Sequence, residues 1–186
     1  MPGGSPRSAQ DGVPSWAILT PARREHIDRV VTLMRGWVTV LRLPPEERAR
    51  WLRAVWLHDA LRDAPEAEMR RWAPHVEGPV ELRHGPAAAA RAELEGERDA
   101  DVLSAVRWHS VGWVGWGPIG RALYCADFLE PGRSFDRADR AALAVRYPEE
   151  PGPVLRDVVR RRLAYAVTQG WTLPPESLAF RESLLG

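Results

Sequence analysis

The chain has 186 residues, 45% hydrophobic and 27% charged, values of one globular domain with a real core and not of a disordered chain. Its formal net charge of +1 gives no support to a nucleic-acid or membrane partner, since either favours a basic excess. All 26 basic residues are Arg, so any phosphate contact falls to a guanidinium or a backbone N–H.

Met1 to Ser15 is rich in Gly, Pro and Ser and has no apolar stretch of the kind a signal peptide carries. Residues 1–18 are therefore expected to form a flexible lead-in and residues 19–186 a single domain. Thr20-Pro21 reads as an N-cap with proline in the first turn. The helix it starts places Ile27, Val30, Val31, Met34, Val38 and Leu41 on one side, with His26 in the second turn. Leu43-Pro44-Pro45 breaks it. A second helix begins at Pro45 or Glu46, carries Trp51, Leu52, Val55, Trp56 and Leu57, and is expected to run into His58-Asp59 and end or kink at Ala64-Pro65.

A short helix over Pro65–Trp72 follows, then a loop around Gly78-Pro79. His84-Gly85-Pro86 opens an Ala-rich helix that stops near Gly96. Asp99 or Asp101 caps the next, with Val102, Leu103 and Val106 inward and His109 at its end. Gly112-Trp113-Val114-Gly115-Trp116-Gly117-Pro118 reads as a loop. Helices are expected over Ile119–Leu129, Asp136–Tyr147, Val154–Thr168 and Pro175–Leu184. No stretch shows the period of two that strands require. The fold class is therefore all-α, a single multi-helix bundle. The single Cys125 excludes an intramolecular disulfide and fits a reducing, cytoplasmic location. No apolar run reaches the length of a membrane span.

Four of the five histidines, His26, His58, His84 and His109, fall at the ends or faces of successive helices, and Asp59 and Asp127 join them. Mixed His and carboxylate donors suit iron, manganese or zinc, and the lack of Cys donors argues against a structural zinc knot. Six such side chains exceed one tetrahedral ion and suit two ions sharing a carboxylate. A pair of ions stabilises the attacking and leaving oxygens of a phosphoryl displacement.

The order His … His-Asp … Asp resembles the HD superfamily of metal-dependent phosphohydrolases. His84-Gly85-Pro86, the run Val106 to Gly112 and the run Ala126 to Phe135 narrow the resemblance to the symmetrical bis(5'-nucleosyl)-tetraphosphatase branch, which cleaves diadenosine tetraphosphate to two ADP at a di-iron centre. The resemblance spans His26 to Arg140. It implies an HD-domain bundle in which His26, His58, Asp59 and Asp127 hold one ion, Asp59 bridges, and His84 and His109 complete the second. It implies two di- or trivalent ions, iron first, with manganese, cobalt or zinc as alternatives. Asp63 would lie close to the attacking water, or else orient a ligand His. Arg62 stands where the family usually has Lys, and either binds phosphate or pairs with Asp63. Arg133 would contact the polyphosphate, or else cap the helix ending near Leu129. Arg107 is a further phosphate candidate.

The segment after Gly112 departs from the family in its Trp content and in Val111. Trp113 and Trp116 are candidate platforms for an adenine. Trp37, Trp51, Trp56, Trp72 and Trp108 sit at helical spacing and are expected in the core, as is Cys125. Arg160-Arg161-Arg162 reads as a solvated helix face. Pro174 to Gly186 is either a docking helix or a dimer contact, so a homodimer is left open. The function implied is hydrolysis of a nucleotide polyphosphate, foremost diadenosine tetraphosphate, by hydroxide generated at a dinuclear centre. Asp59, Asp63 and Arg62 are its candidate catalytic residues, and a small-molecule nucleotide is its partner. The alternatives are an HD phosphatase of a nucleoside monophosphate or other phosphoester, and a non-catalytic metal- or nucleotide-binding module.

Overall fold

A computed structural model describes residues 12–186. The described residues form nine α-helices and no strand: α1 Pro21–Val40, α2 Pro45–His58, α3 Glu66–Trp72, α4 His84–Leu94, α5 Ala100–Trp108, α6 Pro118–Leu129, α7 Arg137–Arg146, α8 Pro151–Thr168 and α9 Pro175–Leu185, with a 3-10 turn at Val80–Leu82. The expected all-α class is observed. α2 lies centrally, against α1, α4, α5 and α6, while α6 also carries α7 and α8.

The caps follow from local chemistry. Thr20 accepts the Arg23 N–H at the start of α1, and Asp99 accepts the Asp101 and Val102 N–H groups at the start of α5, satisfying donors that a helix leaves unpaired. The inward stripe of α1, Ile27, Val30, Val31, Met34, Trp37 and Val38, is buried. Trp51 and Trp56 are buried as expected, while Trp72 and Trp108 are only half-buried.

Two expectations change and one open alternative narrows. α2 ends at His58, short of Ala64-Pro65, and Asp59 to Asp63 follow as turns. Asp59 leaves the helix at φ −108°, ψ 14°, and Arg62 N–H closes a turn on its carbonyl. Of the expected lead-in, Met1 to Asp11 lie outside the described residues; Val13 and Trp16 pack on the core and Ile18 N–H donates to the Ala60 carbonyl. The C-terminal segment docks: Phe180 of α9 is 2% exposed, edge-on to Trp116 and Tyr124. Among the described residues no helix is long and apolar enough to cross a membrane.

Candidate metal centre

Five elements bring six donors to one buried place. His26 comes from α1, His58 and Asp59 from the end of α2, His84 from the start of α4, His109 from the end of α5 and Asp127 from α6. All six are at most 6% exposed. Close packing makes the convergence feasible. A Cβ on Gly85 would lie 2.9 Å from the carbonyl oxygens of Val106 and Arg107, so only glycine lets the start of α4 approach the end of α5 this closely.

The imidazoles share one posture. Nδ1 of His58, His84 and His109 faces the carbonyl of the residue three before it, Val55, Glu81 and Val106, at 2.7, 2.5 and 2.8 Å. A carbonyl only accepts, so each ring donates from Nδ1 and carries its lone pair on Nε2. His26 Nδ1 meets the buried Glu130 carboxylate at 3.2 Å. The four Nε2 atoms therefore point inward. Those of His26 and His58 are buried without a hydrogen-bond partner. Those of His84 and His109 face each other at 3.0 Å, two lone pairs that repel unless a cation lies between them.

Asp59 divides its carboxylate between two sides. Oδ1 faces His84 Nε2 at 3.1 Å and His109 Nε2 at 3.4 Å; Oδ2 faces His26 Nε2 and His58 Nε2, each at 3.7 Å. Two groups that could hold metal result, His26–His58–Asp59 and Asp59–His84–His109, with Asp59 common to both. Asp127 Oδ1 closes the first side, 3.2 Å from His26 Nε2. The residues present thus fit a pair of ions. Ligating His rings are typically held by their second nitrogen in this way.

The charges fit as well. Burial opposes ionisation of Asp59, but the His58, His84 and His109 rings hold its carboxyl well below the usual range. Burial likewise opposes Asp127, and Arg133, His26 and Arg162 hold it well below that range. Burial pushes His58 down to about 4, so it stays neutral and able to ligate. Burial also lowers His84; Asp59 opposes the shift and the charge of Arg62 adds to it. On His26, burial is outweighed by Asp127, Glu130 and Asp59, which raise it to about 9. Anionic Asp59 and Asp127 beside a neutral His58 offer donors that a cation can bind, while His26 is held toward its charged form by its carboxylate neighbours.

The other candidates fall in varied places. Asp63 does not touch a histidine: Oδ2 accepts from Thr20 N–H at 2.8 Å and from its hydroxyl at 2.7 Å, and Oδ1 lies 3.6 Å from Arg23 Nε. It ties α1 to the turn after Asp59, in place of the expected His orientation, and its anionic oxygens go to Thr20 and Arg23 rather than to Arg62. Arg62 is half-buried near His84. Arg133 makes the expected helix-end contact and adds an ion pair to Asp127. Its Nε donates to the Asp127 carbonyl at 3.2 Å and its Nη2 to Asp127 Oδ1 at 2.9 Å, with its side chain 36% exposed. Arg107 is half-buried, and its carbonyl is the atom that meets Gly85. Trp113 is 37% exposed and stacks on Trp108 at 4.9 Å. Trp116 corrects the sequence reading. It is 4% exposed, its Nε1 donates to the Ser104 carbonyl, and its ring packs on Tyr124 and Phe180, so both faces are spent in the core.

Sequence reasoning missed four neighbours of the site. Arg23 Nη1 meets Asp59 Oδ2 at 2.7 Å. Glu130, 1% exposed, accepts from Arg29 Nε and Gly132 N–H at 2.6 Å and orients His26; these donors outweigh its burial and bring its carboxyl down to about 2. Ser110 Oγ is 3.2 Å from His109 Nε2 and 3.4 Å from His84 Nε2. Arg162 turns inward to Asp127 Oδ2 at 3.2 Å, against the expectation that the whole Arg160-Arg161-Arg162 run faces solvent. For Glu130 a signal existed, in its place three residues after Asp127. Arg162 had none, because its partner is 35 residues away.

The HD domain family model matches residues 23–144, which include all six donors. Among curated proteins, the chain is 32% identical over 94 residues to "Bis(5'-nucleosyl)-tetraphosphatase, symmetrical" of Bacillus subtilis, covering 46% of this chain and 50% of that one. It is 26% identical over 106 residues to the protein of the same name from Halalkalibacterium halodurans, covering 56% of each chain. The chain spans about half the length of these curated relatives. A crystal structure described as a predicted HD superfamily hydrolase involved in NAD metabolism, from Clostridium acetobutylicum, superposes with a TM-score of 0.76 at 22% identity over 90% of both chains, which shows the shared fold. With the matched segment covering more than half of its length, the chain belongs to the HD domain family.

Proposed function

We propose that this protein is a metal-dependent phosphohydrolase that splits a dinucleoside polyphosphate symmetrically, foremost diadenosine tetraphosphate to two ADP. The observation that carries the proposal is the inward set of four Nε2 atoms around an Asp59 shared by two potential metal-holding groups. The names of the partial-length relatives support the substrate. His26, His58, Asp59 and Asp127 would hold one ion, and Asp59, His84 and His109 the other, with iron the first choice and manganese, cobalt or zinc compatible with the same donors. When bound, such a pair supplies Lewis-acid polarisation of phosphoryl oxygens and a nucleophilic oxygen near neutral pH.

The chain's own residues do the rest. The backbone carbonyls and Glu130 engage Nδ1 of the imidazoles and so turn each Nε2 toward the site. Arg133 is exposed enough to leave Asp127 for a phosphate oxygen, and Arg23 stands beside Asp59 as a second guanidinium for the same chain of phosphates. Arg62 and Arg107, both half-buried, complete the candidate phosphate contacts. Asp63 acts by holding Arg23 and the start of α1. Trp113, already paired with Trp108, offers a surface for the nucleobase. A cytoplasmic location belongs to the same proposal, since nucleotide substrates and the free, buried Cys125 both suit a reducing compartment. The test is product separation after incubating protein loaded with Fe2+, Mn2+ or Co2+ with diadenosine tetraphosphate. ADP as sole product is expected; AMP with ATP, or no turnover with any of the three, overturns the proposal.

A further inference from the structure

Arg162 lies on α8, beyond the residues 23–144 that match the family. Its neighbours turn outward: Arg160 pairs with Asp157, and Arg161 with Asp136 and Asp139. Arg162 turns in. Its guanidinium carbon sits 4.2 Å from the centre of the Tyr124 ring, a cation–π distance. Nη1 donates to Asp127 Oδ2 at 3.2 Å and to the Tyr124 carbonyl at 3.3 Å, and Nη2 to the Ser110 carbonyl at 3.4 Å. One planar fork joins α8 to α6 and to the residue after His109.

Asp127 gives its two oxygens to different partners. Oδ1 faces His26 Nε2 and Arg133; Oδ2 faces Arg162. The carboxylate torsion is broad and roughly two-fold, so the backbone alone does not choose which oxygen reaches the histidine side. A donor anchored on the other oxygen does. Arg133 is not that donor, because it shares Oδ1 with His26 and its side chain is 36% exposed, against 19% for Arg162.

We propose that Arg162 is a positioning residue of the metal centre: by holding Asp127 Oδ2 it aims Oδ1 toward His26, so that α8 completes a site the family-matched segment does not complete alone. The proposal rests on the metal-centre reading above, and its test separates the two. Full-length wild type, Arg162→Met, Arg162→Lys and Arg160→Met are titrated with Mn2+ by calorimetry, and the visible absorption of their Co2+ forms is recorded. Wild type and Arg160→Met are expected to bind alike. Arg162→Met is expected to lose about 10–100-fold in affinity, the usual cost of removing an orienting partner, with altered Co2+ bands at one of two sites. Arg162→Lys keeps the charge without the fork and is expected to recover part of the loss. Far-UV circular dichroism checks that each variant is folded. A folded Arg162→Met with wild-type affinity and spectrum overturns the proposal. If that variant does not fold, Arg162→Lys decides: wild-type behaviour overturns it and partial loss supports it. Wild-type protein that takes up neither ion overturns the metal-centre reading and this one with it.

Discussion

Gly85→Ala tests how far the proposed centre depends on close helix packing. The added Cβ would lie 2.9 Å from the Val106 and Arg107 carbonyl oxygens and 3.2 Å from His109 Nδ1. These are backbone atoms and a buried ring, so no flexible side-chain end can swing away. Reaching ordinary contact at about 3.4 Å requires α4 and α5 to separate by about 0.5 Å. The methyl group also wedges against the Val106 carbonyl that orients His109 at 2.8 Å. Overpacking of this kind costs about 1–3 kcal/mol, and each kcal/mol lowers the melting temperature of a chain this size by about 2–4 °C. His84 and His109 Nε2, now 3.0 Å apart, move apart with their helices. Mn2+ affinity at the Asp59–His84–His109 group is expected to fall about 10–100-fold. The assay is calorimetric Mn2+ titration together with thermal melts in chelator and in excess Mn2+. The metal-dependent rise in melting temperature should shrink, because stabilisation by a ligand scales with the logarithm of its concentration over Kd. Gly85→Ala protein with unchanged melting temperature and wild-type Mn2+ affinity would refute the reasoning.

Trp116→Ala and Trp113→Ala should separate cleanly. The first leaves a cavity under Phe180 and is expected to cost about 3–5 kcal/mol in chemical denaturation, while the second is expected to raise KM several-fold with a small change in stability; equal effects on stability would contradict the assignment. Asp59→Asn removes the charge common to both metal-holding groups, and elemental analysis is expected to show both ions lost rather than one. Asp99 is held below the usual carboxylate range chiefly by Arg50, with burial opposing and the first N–H groups of α5 adding. Its contribution is therefore complete above the ordinary Asp value of about 3.9 and fades as pH falls through its lower folded value. Asp99→Ala is expected to cost about 0.5–2 kcal/mol at neutral pH, with the gap to wild type closing on acidification; a gap constant with pH contradicts this account.

What the sequence by itself determined was local. Proline breaks, the Thr20 and Asp99 caps and the apolar stripes located every helix, most ends within a residue or three and the end of α2 excepted, because these signals act within a turn or two of chain. The six donors were legible too, since each lies at a helix end or face in a recognisable order. What only the tertiary structure decided was which polar groups meet. α2 stops at His58, and from the turn that follows Asp59 faces His58 together with His26, His84 and His109 brought by other helices. Trp116 reads as a loop aromatic, yet Phe180, 64 residues later, covers it. Glu130, Arg23 and Arg162 bind the site's histidine and carboxylates across 104, 36 and 35 residues. Nothing within a helix turn distinguishes Arg162 from Arg160 and Arg161; only the packing of α8 on α6 turns one guanidinium inward and leaves the others in solvent.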